Sequence, residues 1–443
     1  MPQTDTEQKS QANSNRAAWA GAREKAKLHS EQAGRADLGQ NKQEAGLIYL
    51  DNAATTPVAP EALEAMLPYL GNEFFNPSSF YAPARTVKKE LSAAREYLAS
   101  TLNAKPEEIY FTSCGSESDN WALKGVIEAG AKRGKHLIVS AIEHHAILET
   151  AKWLESQGCE VTYVGVDEDG LVNPEEVAAA LRPDTVLVSI MAANNEIGTI
   201  QPIEECARAA HEAGALFHTD AVQAYAHIPL DVQALGVDLL SVSGHKFNGP
   251  KGVGFLYVRK GVKIKPLIHG GEQERGRRAG TENVAGVVGM AAAAKRAFAN
   301  LEERSARETA VRDHAIARLK ERIPYIKLNG SLQYRLPNNV NVSFRFVEGE
   351  ALLMKLAQHG VCASSGSACA SGSLDPSHVL LAIGVSHGLA NGTVRMTLSE
   401  ETTEEQMDFV VEKLAETVNY LRGMSPLWED FVAKHPEANY LES

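Results

Sequence analysis

The run SVSGHKFNGPKGVG at residues 241–254 sets a His-Lys pair between the end of a β-rich stretch and a glycine-rich turn. A lysine at the carboxyl end of a strand is placed to form a Schiff base with a carbonyl compound, provided its neighbours keep the amine partly unprotonated. An isolated lysine is ordinarily a solvated surface charge. The context singles out Lys246, while Lys251 in GPKG reads as a turn lysine. FHTDAVQA ends a second β-rich run on Asp220, where an unpaired carboxylate would be costly. A protonated pyridine nitrogen is a fitting partner, because the pair keeps the ring cationic and electron-withdrawing; a helix N-cap is the alternative. Gln223, three residues on, is within reach of the ring's phenolic oxygen.

FTSCGSESDN places Gly115 and Ser116 between a strand and a helix, where N–H groups and the helix dipole face an anion. Ser116 equally suits a plain N-cap. IEHHAIL puts His144 and His145 just past another strand. A flat imidazole there can stack on a ring and exchange protons near neutral pH, although a satisfied structural histidine is the default. MAANNEIG offers Asn195 as a donor, or simply as a turn asparagine. Lysine, aspartate, imidazole and anion cradle together describe a pyridoxal-phosphate site.

A thiol completes the set. VCASSGSACASGS at 361–373 is too poor in large side chains to fill a core, and its composition favours a loop. Cys369 within it is open to substrate. Cys362 is the rival nucleophile, half-packed at the start of the loop; Cys114 lies beside the cradle, where a helix terminus lowers a thiol pKa. Cys159 and Cys206 read as inert.

The elements that position these residues alternate. From residue 108, short β-rich runs (EIYFTS, HLIVSA, EVTYVGV, TVLVSIMA, ALFHTD, DLLSVSG, VGFLYV) are separated by helical segments. The fold class is α/β, with a mostly parallel sheet covered on both faces. Ligands collect at the carboxyl ends of such strands, where Ser113, Glu143, Asn194, Asp220 and His245 fall. The Ala-rich AGVVGMAAAA reads as a closely packed internal helix. After about residue 300 a long charged helix, a few strands and a terminal helix from TTEEQMDF suggest a smaller α+β domain.

Composition closes off other classes. The 443 residues are 44% apolar and 23% charged, with a net charge of −12 and no basic stripe for nucleic acid. No apolar run approaches a membrane span. Five irregularly spaced cysteines, without a C-x-x-C pair, indicate free thiols in a reducing cytoplasm and no resident zinc. Residues 1–46 carry almost no large apolar side chains and read as a disordered or loosely helical extension.

Over residues 47–425 the chain resembles the cysteine desulfurases of the class V aminotransferase family. The resemblance is carried by YLDNAATTPV, FTSCGSESDN, EHHAIL, NNEIG, HTDAVQA, SGHKFNGPKGVG, GGEQERGRRAGTEN and SSGSACASGSL. The last two motifs and FTSCG look most like the nitrogen-fixation branch, with the housekeeping iron–sulfur branch close behind. The resemblance implies fold type I of the pyridoxal-phosphate enzymes, with a large cofactor-binding domain at 56–300 and a small domain from 47–55 and 301–443. It implies Lys246 as the Schiff-base lysine, Cys369 as the sulfur acceptor and His144, rather than His145, as the stacking imidazole. Asp220 would face the pyridine nitrogen, with Gln223 and Asn195 on the phenolic-oxygen side. Gly115, Ser116, Ser243 and His245 match phosphate ligands, and Thr281 matches one donated by the second subunit of a homodimer. Arg395 matches the clamp for the substrate carboxylate, a role suited to a guanidinium fork. The implied reaction takes sulfur from L-cysteine, leaving L-alanine and a persulfide on Cys369 for an iron–sulfur scaffold or other acceptor protein. Cys369 is also a candidate transient ligand to a cluster shared with that partner. A selenocysteine lyase, another β-eliminating pyridoxal enzyme and a non-catalytic assembly scaffold are the alternatives. The chain departs from the family pattern at Phe75 and through FYAPAR, in the segment after helix-rich residues 60–70, and at Leu381.

Overall fold

The structure, a computed structural model, describes residues 46–365 and 376–435. The expected N-terminal extension and Cys369 therefore lie outside the described residues. From Leu47 onward the described chain forms one compact unit. It begins with β1 (Ile48–Tyr49) and continues through β2 (Ile109–Thr112), β3 (His136–Ser140), β4 (Glu160–Val164), β5 (Thr185–Ser189), β6 (Leu216–Asp220), β7 (Leu239–Ser243) and β8 (Gly254–Val258).

Strands β2 to β8 make one seven-stranded sheet in the order β2-β8-β7-β6-β5-β3-β4. Neighbours are parallel from β7 to β4, and β8 alone runs against its two neighbours. Every residue of β2, β3, β5, β7 and β8 is buried, as expected of strands covered on both faces. The edge strand β4 is partly exposed. Helices Gly115–Ala129, His145–Ser156 and Ile203–Glu212 connect successive strands. The helix Val284–Ala299 contains the Ala-rich run and packs against the helix Pro60–Leu70. A Cβ on Gly289 would meet Met66 Cγ at 2.5 Å, so small side chains are what allow the two helices to approach.

The chain then adds β9 (Ile326–Leu328), β10 (Asn339–Phe344), β11 (Val361–Cys362) and β12 (Thr393–Thr397). The antiparallel order β12-β10-β9 packs with helices Leu301–Arg322 and Glu404–Arg422 around a second apolar cluster that includes Leu319, Val342, Met396 and Leu414. Cys362 sits in β11, paired in parallel with Tyr49 of β1, rather than at the start of a loop. The reason is a pairing distant in sequence: Leu50 N–H donates to Cys362 O at 2.8 Å, continuing the β1 ladder. A further helix, Pro426–Lys434, follows the expected terminal one; its Trp428 and Phe431 pack with Tyr325 and Phe346. No helix among the described residues is long and apolar enough to cross a membrane.

Candidate active site

The carboxyl ends of the central strands open on a cavity of about 430 Å³. Gly115, Ser116, His144, Asn195, Asp220, Gln223, Ser243, His245, Lys246 and Arg395 all line it. Thr281 is exposed and is not among the lining residues.

Lys246 ends a single 3₁₀ turn, Gly244–Lys246, that follows β7 directly. Its Nζ donates to the carbonyls of Ala53 and Ala54 at 2.6 and 2.9 Å, so the segment after β1 forms the opposite wall. Gln223 Nε2 donates to the same Ala53 carbonyl at 3.0 Å. His245 Nδ1 lies 3.1 Å from Thr55 Oγ1, and burial beside Lys246 and Lys251 pushes its pKa down to about 4.

Asp220 is the last residue of β6 and is 5% exposed. It does not cap a helix. Its Oδ1 accepts the Val222 N–H at 2.8 Å within a turn, because the chain must reverse there before Gln223 reaches the cavity. Burial raises the Asp220 carboxyl to about 6, against the lowering effect of the Lys246 charge.

Ser116 also differs from its N-cap alternative. The helix Gly115–Ala129 is capped by Cys114, which makes no side-chain cap bond, and Ser116 lies in the first turn. The Ser243 hydroxyl is buried and has no hydrogen-bond partner. A Cβ on Gly115 would fall 2.6 Å from Val222 Cγ2 and 3.5 Å from Ser243 Cβ, so only glycine lets this helix start close to both. An uncapped helix terminus next to an orphaned hydroxyl is a receptor for an anion.

His144 is the N-cap of helix His145–Ser156, and its Nδ1 accepts the Ala146 N–H at 3.1 Å. That bond fixes the ring and requires Nδ1 to be unprotonated. Burial, with Lys246, His145 and His378 nearby, pushes its pKa down to about 4, so the ring presents a neutral face to the cavity. Asn195 is carried by a turn that Asn194 locks: Asn194 Oδ1 accepts the N–H groups of Glu196 and Ile197, and its amide donates to Ile142 O.

Arg395 enters from β12, with its side chain 3% exposed. It donates to Asn195 O and to Asp51 Oδ1, both at 2.9 Å. The backbones of Arg395 and Ser364 exchange bonds of 2.6 and 3.1 Å, which fixes Ser364 beside β12. Cys114 lines the cavity and Cys362 is half-buried. Burial pushes the Cys206 thiol up to about 12, which keeps it unreactive.

Sequence reasoning missed four polar groups here. Asp51 pairs Arg395. Asp119 lines the cavity one helical turn beyond Ser116. Glu196 accepts the Ser377 hydroxyl at 2.5 Å, and His378 Nε2 lies 3.0 Å from Glu143 O. Asp51 stood in the YLDNAATTPV motif and Glu196 in NNEIG, which carried the resemblance without assigning either residue a role.

Comparison with known proteins agrees with this geometry. The Aminotransferase class-V family matches residues 48–410. The cysteine desulfurase IscS of Methanosarcina thermophila is 55% identical over 380 residues, which is 86% of this chain and 94% of that protein. Among solved structures, a NifS-like protein superposes with a TM-score of 0.80 at 41% identity, covering 84% of this chain and all of the other. A structure described as SspA in complex with cysteine gives a TM-score of 0.71 at 38% identity, covering 80% of this chain and all of that one. The chain therefore belongs to the class-V aminotransferase family and, within it, to the cysteine desulfurases.

Proposed function

We propose that the protein is a pyridoxal-phosphate-dependent cysteine desulfurase that takes sulfur from L-cysteine, releases L-alanine and carries the sulfur as a persulfide on Cys369. The observation that carries this reading is the convergence of an amine, a buried carboxylate, a neutral imidazole and an uncapped helix start on one cavity. These groups fit the cofactor. The orphaned Ser243 hydroxyl and the helix start at Gly115 and Ser116 suit its phosphate, with His245 beside them. Asp220 suits a cationic ring nitrogen, Gln223 and Asn195 the phenolic-oxygen side, His144 the ring face, and Lys246 the covalent link. Thr281, outside the cavity of one chain, is assigned to the neighbouring site of a homodimer. Residues 56–300 make up the cofactor-binding domain, and 47–55 with 301–443 the smaller one.

When bound, the pyridoxal group supplies an electron-withdrawing ring that stabilises negative charge developing on the substrate carbons. Arg395 holds the substrate carboxylate through its guanidinium fork. Lys246 takes the α-proton and returns protons to the carbon skeleton. The Cys369 thiolate attacks the substrate sulfur; a new S–S bond forms as the substrate C–S bond breaks, and the carbon retains that electron pair. Cysteine and thiol thus become alanine and persulfide without an external oxidant. The persulfide then passes to an iron–sulfur scaffold or other acceptor protein in the cytoplasm.

The test is alanine formation from L-cysteine with a thiol reductant, for wild type and Cys369→Ser, with visible spectra of each. Alanine from wild type alone, with cofactor absorbance in both, supports the reading. Turnover by the variant would move the chemistry to another thiol or to direct elimination. Absence of cofactor absorbance in both proteins would remove the pyridoxal assignment.

A further inference from the structure

Behind Asp220 lies a second carboxylate that the reaction just described does not use. Asp119 is 1% exposed, and its Oδ1 is buried without a hydrogen-bond partner. One oxygen of Asp119, one of Asp220 and one ring nitrogen of His144 all lie within 4.8 Å of one another. Two buried carboxylates that close do not both ionise unless a cation stands between them. Among the described residues, the groups that face Asp119 supply none. His218 Nε2, from β6, is 3.8 Å away, but its two nitrogens are engaged by Ser189 Oγ at 2.8 Å and Ser241 Oγ at 3.0 Å. That ring is neutral, its pKa pushed down to about 3 by burial. His144 is likewise neutral near pH 7. Glu143, before the helix His145–Ser156, and Cys114, at the start of Asp119's own helix, supply no positive charge and act only to raise Asp119. Lys246 acts on Asp220 and lowers it, whereas burial and Asp220 itself drive Asp119 well above the usual carboxylate range.

Resting on the cofactor assignment above, we propose that Asp119 is a positioning residue that stays protonated and leaves Asp220 as the single anion facing the ring nitrogen. The site then presents one negative charge to one cationic ring. The Ser241 hydroxyl, which acts to lower Asp119 against burial and Asp220, belongs to a buried line Ser241–His218–Ser189 that runs back across β7, β6 and β5.

Asn is the neutral shape-match of a protonated Asp, and this makes the test. Infrared difference spectra of wild type minus Asp119→Asn, taken on the holoenzyme at neutral pH, are expected to show loss of a protonated carboxylic-acid band. Loss of an ionised carboxylate band instead overturns the proposal. In the same holoenzymes, the pH midpoint of the visible cofactor absorbance is expected to shift by less than about 0.3 units between wild type and Asp119→Asn. Removing a charge that close would shift it by about one unit or more, and that result also overturns the proposal. Wild type without cofactor absorbance would instead sink the cofactor assignment, a separate failure. Should Asp119→Asn fold poorly, the same difference spectrum of Asp119→Ser, a smaller neutral side chain, decides: loss of an acid band supports the proposal, and loss of an ionised carboxylate band overturns it.

Discussion

The two charged ends of the cavity differ in what they already hold. At the Asp220 end, two buried carboxylates sit within 4.8 Å of each other and of His144, and one oxygen of Asp119 has no donor. At the Arg395 end, the charge is already matched: Asp51 and the Asn195 carbonyl each accept from the guanidinium at 2.9 Å. At the first end the Lys246 charge acts on Asp220 but does not relieve Asp119. The second must share an existing ion pair with an arriving carboxylate. A tightly held cofactor suits the first arrangement, and a substrate that comes and goes in every turnover suits the second.

The largest expected break in this comparison comes from Asp220→Ala. On the proposed assignment it removes the anion that keeps the ring nitrogen protonated, so kcat/KM for alanine formation should fall by about a hundredfold or more. The visible absorbance should persist, altered in its pH response, because Lys246 remains. A loss under tenfold would mean that another group holds the ring nitrogen. Arg395→Lys comes next. Lysine keeps the charge but not the fork, and a hydrogen bond to a charged group lost at this site costs about 1.5–3 kcal/mol. The KM for cysteine should rise roughly 10- to 100-fold, with cofactor absorbance unchanged. An unchanged KM would take Arg395 out of substrate binding.

Asp220 was legible because it ends an apolar β-run, where a charge needs a ligand or a partner. Arg395 was legible only through the resemblance; the structure places it inside the buried strand β12. Asp119 was not legible, since a helix interior in a polar stretch looks solvent-facing until the sheet behind it is placed. Asp51 was hidden for another reason: β1 is two residues long, too short for alternation to reveal that Asp51 turns towards β12. The strand at Cys362 was missed because its partner, Tyr49, lies hundreds of residues away in sequence. The segment after the helix Pro60–Leu70 was noted only as a departure from pattern. In the structure, Phe74 and Phe75 stack at 4.7 Å while Phe74, Phe80 and Tyr81 remain exposed in the single chain.

Glu143 sharpens the comparison from the stability side. It is fully buried: its Oε1 accepts from Ser140 and Met191, and its Oε2 has no partner. Burial raises its carboxyl to about 8. A carboxyl raised in the folded state binds more protons folded than unfolded between the two pKa values. Its stabilising contribution is therefore complete below the unfolded value and is lost as pH rises through about 8. Glu143→Gln cannot ionise, so it should melt higher than wild type by several degrees at pH 8.5 and match it near pH 5. A difference that is constant with pH would assign the effect to packing.

Asp51→Asn probes the Arg395 end more gently. The variant keeps an oxygen for the guanidinium but removes the negative charge that competes with a substrate carboxylate. Asp51 is 21% exposed on its side chain, so solvent screens the pair and the gain should be modest. If the pair is the resting partner that substrate displaces, the KM for cysteine should fall about two- to fivefold while kcat stays within twofold. If Asp51 instead holds the guanidinium plane in register for the incoming carboxylate, KM should rise. Combining Asp51→Asn with Arg395→Lys separates the two: a competitor's removal loses its effect once the fork is gone, because a lysine ammonium turns freely towards the substrate.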